Sequence, residues 1–549
     1  MLEDKDLLSV QEVRTKVEKA HAAWQKYRSY SQEQIDAIVE RMGAAARANA
    51  RQLAELAVEE TGYGNAKDKY IKNILNCDWL PRRMRGMKTV GVLRELPEEK
   101  IVEYGVPMGV VAAILPTTNP TSTAMYKTLI ALKAGNAIVV SPHPRAYRCT
   151  CQTAAILYQA ALEAGAPEDI IQCIELATME GIQALMRHER TAVILATGGH
   201  AMVKSAYSSG KPAFGVGPGN VPVLIDSSAD VEDAVAKVVS GKSFDYGTVC
   251  SSEQAIVAEY SLRDRILAAL RQQGAYFAAE AEKAALGRLL IQPNWTVNPQ
   301  CVGQAPEKIA KMAGFAVPDG TSIICAEIEG VGKKHPLSAE KLSPVLALLF
   351  VADWSSALDT CFGLLKFGGA GHTAVIYSKN DTRIREYGAR MPAMRVLVNT
   401  PSPQGSTGIT TNVFPSMTLG CGAMAGNSTS DNVGPQHLIN IKRLAYTVRT
   451  PEQAFEMPLD IRQAPVNGAP VAAGGGIDRA SVVAAVEKYL ASRGMAAAQA
   501  PGAEPKPGAA CGCAPPQPKE STIASVAAEV VDRVLGGRGT GQGSPGGYS

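Results

Sequence analysis

The chain lacks a surplus of either charge. Its 55 Lys and Arg residues stand against 52 Asp and Glu, a net +3 over 549 residues. That balance argues against a dedicated nucleic-acid binder, which needs a basic surface. The chain also lacks an unbroken apolar run of about 18 residues, so no spanning helix and no membrane partner are expected. The opening Met1-Leu2-Glu3-Asp4-Lys5-Asp6 is acidic and polar, unlike a secretory signal. No segment repeats at a period of about 20–50 residues. The 11 cysteines are an odd number scattered through the chain, which fits a reducing cytosol better than a disulfide framework. The close pairs Cys149/Cys151 and Cys511/Cys513 have neither a matching second pair nor a nearby His, so no metal site is expected.

Apolar residues are plentiful. Hydrophobic residues make up 46% and charged residues 19%, enough for a packed core. At roughly 100–200 residues per domain, two or three domains are expected. The first 60 residues read as helix. Ser9-Val10-Gln11-Glu12 and Ser31-Gln32-Glu33-Gln34 both fit a capping box, and the second segment should stop near Gly62 or Gly64. From about 100 to 227, short β-rich runs at 109–115, 137–141, 170–175, 191–196 and 221–226 alternate with helical lengths at 121–134 and 145–164. Such alternation predicts α/β units on a mostly parallel sheet, with ligands bound beyond the carboxyl ends of its strands. A second α/β pattern follows from about 228 to 425, with runs at 254–257, 345–351, 372–377 and 395–399.

Three features could carry chemistry. Cys77, Cys173, Cys301, Cys325 and Cys361 read as small hydrophobes. Cys250 differs, because it lies in the Gly/Ser/Thr-rich Phe244-Asp-Tyr-Gly-Thr-Val-Cys-Ser-Ser-Glu-Gln254 just before a strand. A loop thiol near backbone N–H groups can act as a nucleophile. Asn119 sits between prolines in Leu115-Pro-Thr-Thr-Asn-Pro-Thr121, at a strand end. A simple turn and a rigidly presented oxyanion donor are both open there. Thr197-Gly198-Gly199 and Gly215-Val-Gly-Pro-Gly219-Asn220 lack the three spaced glycines of the dinucleotide fingerprint. A strand-to-helix glycine turn can still seat a pyrophosphate.

Together these residues resemble the aldehyde dehydrogenase superfamily, and within it the CoA-acylating branch. The matching stretches are Pro116-Thr-Thr-Asn-Pro-Thr-Ser122, Lys133-Ala-Gly-Asn-Ala-Ile-Val-Val-Ser-Pro-His-Pro-Arg145, Thr197-Gly-Gly199, 215–220 and 244–254. Glu340-Lys-Leu-Ser-Pro344, Gly371-His-Thr-Ala374 and Pro415-Ser-Met-Thr-Leu-Gly-Cys-Gly422 follow in the same order. The resemblance implies an α/β, aldehyde dehydrogenase-like fold. Its parts would be a Rossmann-type cofactor domain, an α/β catalytic domain, a small oligomerisation hairpin and a flexible helical C-terminal tail. The expected boundaries are 1–227 for the N-terminal helices and cofactor domain, with part of the hairpin near 98–106, and 228–425 for the catalytic domain. A return segment would occupy 426–460 and the tail 461–549.

By the same resemblance, Cys250 is the nucleophile. Asn119 and the Cys250 backbone N–H hold the oxyanion. Glu340 positions the nicotinamide ribose, Gly198 and Gly199 lie at the pyrophosphate, and Ser141 and His143 lie in the adenosine-ribose region. Thr118, on the Asn119 loop, is grouped with the cofactor-binding residues. His372 is typical of the acylating branch, where a contact to the acyl-enzyme or incoming thiol and a structural role are both open. Hydrolytic relatives carry a glutamate base where this chain has 215–219, with no carboxylate. A thioester at Cys250 should then pass to CoA rather than to water. Tyr246 is a departure, since many relatives have Asn there.

The implied reaction converts propionaldehyde or acetaldehyde to acyl-CoA with NAD as cofactor and coenzyme A as co-substrate. No acidic residue in 141–145 excludes NADP. Succinate semialdehyde as substrate, and a non-catalytic microcompartment scaffold, are the alternatives. A homo-oligomer, dimer or tetramer, is implied.

The tail adds a separate expectation. In 494–520, 18 of 27 residues are Gly, Pro or Ala, and the last 14 residues hold 7 Gly, so linker and disorder are expected. Short helices are expected at 478–490 and 522–535. In the second, Ile523, Val526, Ala527, Val530, Val531, Val534 and Leu535 form one apolar stripe. Such a helix is marginal alone and needs a partner, whether its own domain or another protein. It resembles an encapsulation peptide, which implies a microcompartment shell protein as partner and a cytoplasmic, microcompartment-lumen location.

Overall fold

The computed structural model describes residues 4–455 and the isolated helical positions Ala480, Ala484 and Lys488. The chain divides into two units, 1–450 and 451–549. In the second, the described residues form the single turn Pro451–Ala454 and those three positions. The expected helix at 522–535, and 478–490 apart from those positions, lie outside the described residues.

Three helices open the chain: α1 (Lys5–Tyr27), α2 (Gln32–Ala48) and α3 (Ala50–Thr61). The expected box at Ser31 forms, with the Ser31 Oγ accepting from the Gln34 N–H at 3.3 Å and the Ser31 N–H donating to Gln34 Oε1 at 2.9 Å. Gly62 ends α3 in the left-handed region, φ 68°. The expected box at Ser9 does not form. Asp4 caps α1, and Ser9 is buried inside it, its hydroxyl donating to the Leu176 carbonyl. Glu12 accepts the N–H groups of Glu175 and Leu176 at 2.7 and 2.8 Å. Both polar groups serve a tertiary contact instead of a local cap.

Two further helices, α4 (Ala66–Ile74) and α5 (Leu80–Met84), lead into an antiparallel pair, β1 (Gly91–Leu96) and β2 (Ile101–Pro107). Next come β3 (Val110–Ile114), α6 (Pro120–Lys133), β4 (Ala137–Ser141), α7 (Tyr147–Glu163), β5 (Ile171–Cys173), α8 (Met179–Arg187), β6 (Thr191–Thr197), α9 (His200–Tyr207) and β7 (Ala213–Val216). Strands β3 to β7 form a parallel sheet in the order β5-β4-β3-β6-β7. The runs Val-Val-Ala-Ala-Ile and Ala-Ile-Val-Val-Ser are buried throughout, as parallel strands covered on both faces require.

A second parallel sheet contains β8 (Val221–Ile225), β9 (Glu253–Glu259), β10 (Ala275–Phe277), β11 (Ile323–Glu327), β12 (Val345–Val351), β13 (Gly371–Tyr377) and β14 (Ala393–Val398), in the order β10-β11-β12-β9-β8-β13-β14. The strand at 221–226, read with the first run, therefore belongs to this second sheet, between β9 and β13. Alternation divides its faces. Val223, Ile256, Leu348 and Val375 pack under α10 (Val231–Ser243) and the helix Arg263–Gln272. Leu224, Val257, Leu349 and Ile376 pack under Trp354–Gly368 and Asp381–Arg390. A last strand, β15 (Ile439–Ala445), pairs with β2 and completes a three-stranded antiparallel sheet, with Glu103 bridging Arg94 and Arg443.

Cys77, Cys301, Cys325 and Cys361 are buried free thiols. Cys173 corrects the reading as a small hydrophobe. It is disulfide-bonded to Cys151, because β5 returns against α7 and brings their Cα atoms to 5.8 Å. Among the described residues no helix is long and apolar enough to cross a membrane, and no group of three His, Cys, Asp or Glu could hold a metal ion.

Candidate active site

The two parallel sheets deliver opposite strand ends. The carboxyl ends of β3, β4 and β6 carry Asn119, Ser141 and Gly198-Gly199. The amino ends of four adjacent strands, β12, β9, β8 and β13, carry Glu340, Cys250, Gly219 and His372. Strand order thus aligns four candidate positions that lie far apart in sequence.

Among the described free cysteines, Cys250 is the half-buried one. It packs against Val216, Leu419 and Cys421. Burial pushes its thiol up to about 12, with Glu340 and Cys421 adding to the rise and Arg395 opposing it. Gly219 lies against the Cys250 backbone. A Cβ at 219 would overlap the Cys250 carbonyl oxygen and come within 3.2 Å of the His372 ring. The Gly219 N–H donates to Glu340 Oε1 at 3.1 Å, and burial raises that carboxyl to about 7. His372 is buried, its Nδ1 3.0 Å from Thr373 Oγ1 and its Nε2 without a protein hydrogen bond. Burial and then Arg395 lower its imidazole to about 3, so it is neutral. Arg395, itself buried, donates to the carbonyls of His372 at 2.9 Å and Gly420 at 2.6 Å. It ties β13 to the segment carrying Cys421. We expect Gly219→Ala to slow turnover by about 100-fold, since backbone at the thiol must shift by the order of an ångström. Steady-state kinetics on the folded variant would check this.

The loop leading to Cys250 is unusual. Asp245 (φ 48°), Tyr246 (φ 51°) and Gly247 (φ 72°) are three consecutive left-handed residues. Non-glycine residues cost of order 1–3 kcal/mol each there, so something must hold them. Asp245 is fully buried and supplies the hold. Its Oδ1 accepts the Asn65 N–H at 2.9 Å, and its own N–H donates to Asp68 Oδ2 at 2.7 Å. Its Oδ2 pairs with Lys69 at 3.1 Å, with Lys72, and with the Thr248 hydroxyl at 2.6 Å. Burial would raise this carboxyl, but the two ammonium groups outweigh it and hold it low. Burial pushes Lys72 down to about 8 against the pull of Asp245. Sequence reasoning missed Lys69 and Lys72. Lysines on a helix read as a solvated face, and only their three-residue spacing hinted at a shared side.

Asn119 precedes α6 and its side chain does not cap the helix. Its Oδ1 accepts from Lys72 and its Nδ2 donates to Thr118 Oγ1 at 3.1 Å. Thr118 also gives its carbonyl to Lys69 at 2.9 Å. Lys127 fixes the strand ends beneath, donating to the carbonyls of Ile114 and Leu195 at 2.6 and 2.8 Å.

The first sheet has the features a dinucleotide needs. Ser141 Oγ and Thr197 Oγ1, at the ends of β4 and β6, are buried hydroxyls without protein partners. Gly199 heads α9, and a Cβ there would meet nothing within 4 Å. His143 Nδ1 accepts the Arg145 N–H at 3.1 Å, closing the turn after β4. The residues present fit the group: polar anchors, a helix N-terminus and open space.

The sequence matches the Aldehyde dehydrogenase family over residues 5–410, and the chain belongs to that family. It is 44% identical over 463 residues to aldehyde-alcohol dehydrogenase 2 of Entamoeba histolytica, covering 81% of this chain and 53% of that one. The chain thus spans about half the length of such curated relatives. An acetylating aldehyde dehydrogenase from Geobacillus thermoglucosidasius superposes with a TM-score of 0.81 at 48% identity, covering 82% of this chain and 99% of that one. A propionaldehyde dehydrogenase from the fucose-utilisation microcompartment of Clostridium phytofermentans gives 0.71 at 27% identity, covering 79% and 97%.

Proposed function

We propose that this chain oxidises a short aldehyde, propionaldehyde or acetaldehyde, to its acyl-CoA through a thioester on Cys250. The observation that carries the reading is the Cys250 side chain packed beside Val216, within a glycine stretch, 215–219, that holds no carboxylate. Cys250 adds to the carbonyl carbon, and its thiol proton passes to solvent. The Asn119 amide and the Cys250 backbone N–H receive the oxyanion. NAD would supply the hydride acceptor. Ser141, His143, Gly198 and Gly199 would hold its adenosine and pyrophosphate end, with Thr118 on the adjoining loop, and Glu340 would orient its ribose. Oxidation leaves an acyl thioester on Cys250.

The fate of that thioester follows from what can reach it. A base-bearing side chain at 219 would strike the Cys250 carbonyl, and the nearby Glu340 is tied to the Gly219 N–H. Residues 215–219 thus offer water no carboxylate base. A thiol reaches its anion near pH 8.5, so CoA is the better acceptor. His372, neutral and with Nε2 unspent inside the protein, is suited to contact the acyl group or the incoming thiol. The test follows NAD reduction with propionaldehyde at neutral pH, with and without CoA. Sustained turnover only with CoA, giving propionyl-CoA, is expected. Equal turnover without CoA, giving propionate, would overturn the assignment.

A homo-oligomer, dimer or tetramer, belongs to the same proposal. Strand β15 is a sheet edge exposing Ile441 and Leu444, with Tyr446 and Val448 beyond it. Pairing of that edge with a second copy would cover them. We extend the proposal to the tail, whose stripe at 522–535 suits docking on a microcompartment shell protein. The likeness to a microcompartment enzyme supports a place in that lumen. Deleting residues 494–549 should leave kcat unchanged and abolish co-localisation with shells by fluorescence microscopy. Loss of activity would favour a helix that folds back on its own domain.

A further inference from the structure

We propose that Lys72 is the positioning residue of the oxyanion site, orienting the Asn119 amide by donating to its oxygen. The inference rests on the reading of Cys250 and Asn119 given above and adds a residue to it.

The Lys72 ammonium lies at a junction. It touches Asn119 Oδ1 on the loop after β3 and Asp245 Oδ2 on the loop leading to Cys250, and it lies 3.4 Å from Thr248 Oγ1, two residues before the nucleophile. Its own position does not depend on Asn119. Helix α4 is docked to the Asp245 loop independently, through the Asn65 N–H, the Asp68 carboxylate and Lys69. Lys72 is 2% exposed, so no water competes for its place.

Chemistry then fixes the amide. An ammonium group has three donors and no acceptor. Only the amide oxygen can face it; the flipped rotamer would set NH₂ against NH₃⁺. The terminal torsion of Asn is otherwise broad and roughly two-fold, so an unanchored amide would lose its aim. With Oδ1 held, Nδ2 is turned the other way. One of its hydrogens goes to Thr118 Oγ1 at 3.1 Å, and the second is left for an oxyanion. The adjacent charge also polarises the amide and makes that N–H a better donor.

Removal of Lys72 leaves Asp245 paired, because Lys69 keeps its contact at 3.1 Å. A folded Lys72→Met enzyme is therefore a fair test. The experiment is a double-mutant cycle on the full chain with propionaldehyde, NAD and CoA. Lys72→Met should lower kcat by roughly 30–100-fold and leave KM for aldehyde and NAD within about 3-fold. Asn119→Ala should lower kcat by about 100–1000-fold, as the loss of one oxyanion donor does. The double variant should be no more than about 3-fold slower than Asn119→Ala alone, because Lys72 acts through that amide. Lys72→Gln, whose NH₂ can still face Oδ1, should recover about 10-fold over Lys72→Met. If Lys72→Met does not fold, Lys72→Gln takes its place in the cycle. Losses that multiply would mean that Lys72 only supports the loop, and would overturn the proposal, as would a Lys72→Met enzyme of normal kcat. An Asn119→Ala enzyme with full turnover would instead sink the reading of the site itself, and this proposal with it.

Discussion

Cys250→Ala is expected to lower acyl-CoA formation by roughly 10⁴-fold or more, while moving the thermal midpoint by only a few degrees. The two halves of that expectation come from different parts of the structure. The side chain touches Val216, Leu419 and Cys421 at the rim of a small cluster, so losing one sulfur removes little packing. No other described thiol can replace it. Cys77, Cys149, Cys301, Cys325, Cys361 and Cys421 are buried, and Cys151 and Cys173 are paired. The check is twofold: steady-state turnover, and mass spectrometry for an acyl group on the protein after mixing with aldehyde and NAD. A variant that keeps turnover would mean that the thioester route is wrong. One that keeps every measurable function would favour the scaffold reading.

The same thiol should be quiet at neutral pH. Burial and the neighbouring Glu340 push it up to about 12, so the thiolate is scarce in the free enzyme. Below such a value the thiolate fraction grows about tenfold per pH unit. Alkylation of Cys250 by iodoacetamide should follow that slope between about pH 7 and 9. A rate that is flat over this window would mean that the thiolate is already formed.

The placing of several candidate residues at strand ends was legible in the sequence, for a physical reason. Asn119 follows the carboxyl end of β3, and Gly219, Cys250 and His372 stand at the amino ends of β8, β9 and β13, so each borders an apolar run that the sequence records; the role given to His372 came from the family resemblance alone. The buried runs 137–141 and 345–351 coincide with β4 and β12 because both faces of those strands are covered. What stayed hidden was set by distant partners. Ser9 and Glu12 have the spacing of a cap, and only the arrival of Leu176 decides otherwise. The sheet to which Val221–Ile225 belongs depends on β9 and β13, which come later in the chain. The three-residue strands β5 and β10 are too short to carry a period. Cys151 and Cys173 meet only because β5 returns against α7. Lys69, Lys72 and Asp245 are the deepest omission. Charged residues on a nine-residue helix read as solvent-facing, yet all three side chains are buried against one another.

That buried trio carries the second large expectation: Asp245→Ala should cost about 3–5 kcal/mol of stability. The carboxylate is fully buried, and deleting it strands two ammonium groups, an amide N–H and a hydroxyl that now share its two oxygens. It also releases Asp245-Tyr246-Gly247 from their left-handed turn, which ends three residues before Cys250. Turnover should therefore fall together with stability. Asp245→Asn separates the causes. Asn tolerates positive φ at least as well as Asp and keeps its shape, so the turn has no new backbone strain. The amide carries no charge, so the ion pairs are lost. A drop in the unfolding midpoint for Asp245→Asn close to that for Asp245→Ala would assign the effect to charge. A small drop would assign it to the turn. The pH dependence supplies the sign. Lys69 and Lys72 hold the folded-state carboxyl below its ordinary value near 3.8. Its contribution is full above that value and is lost as pH falls through the lower, folded-state value. The stability gap between the native chain and Asp245→Asn should thus be widest near pH 6 and narrow below about pH 4. A gap that stayed constant through acid would mean that the Asp245 charge does not hold the loop that presents Cys250.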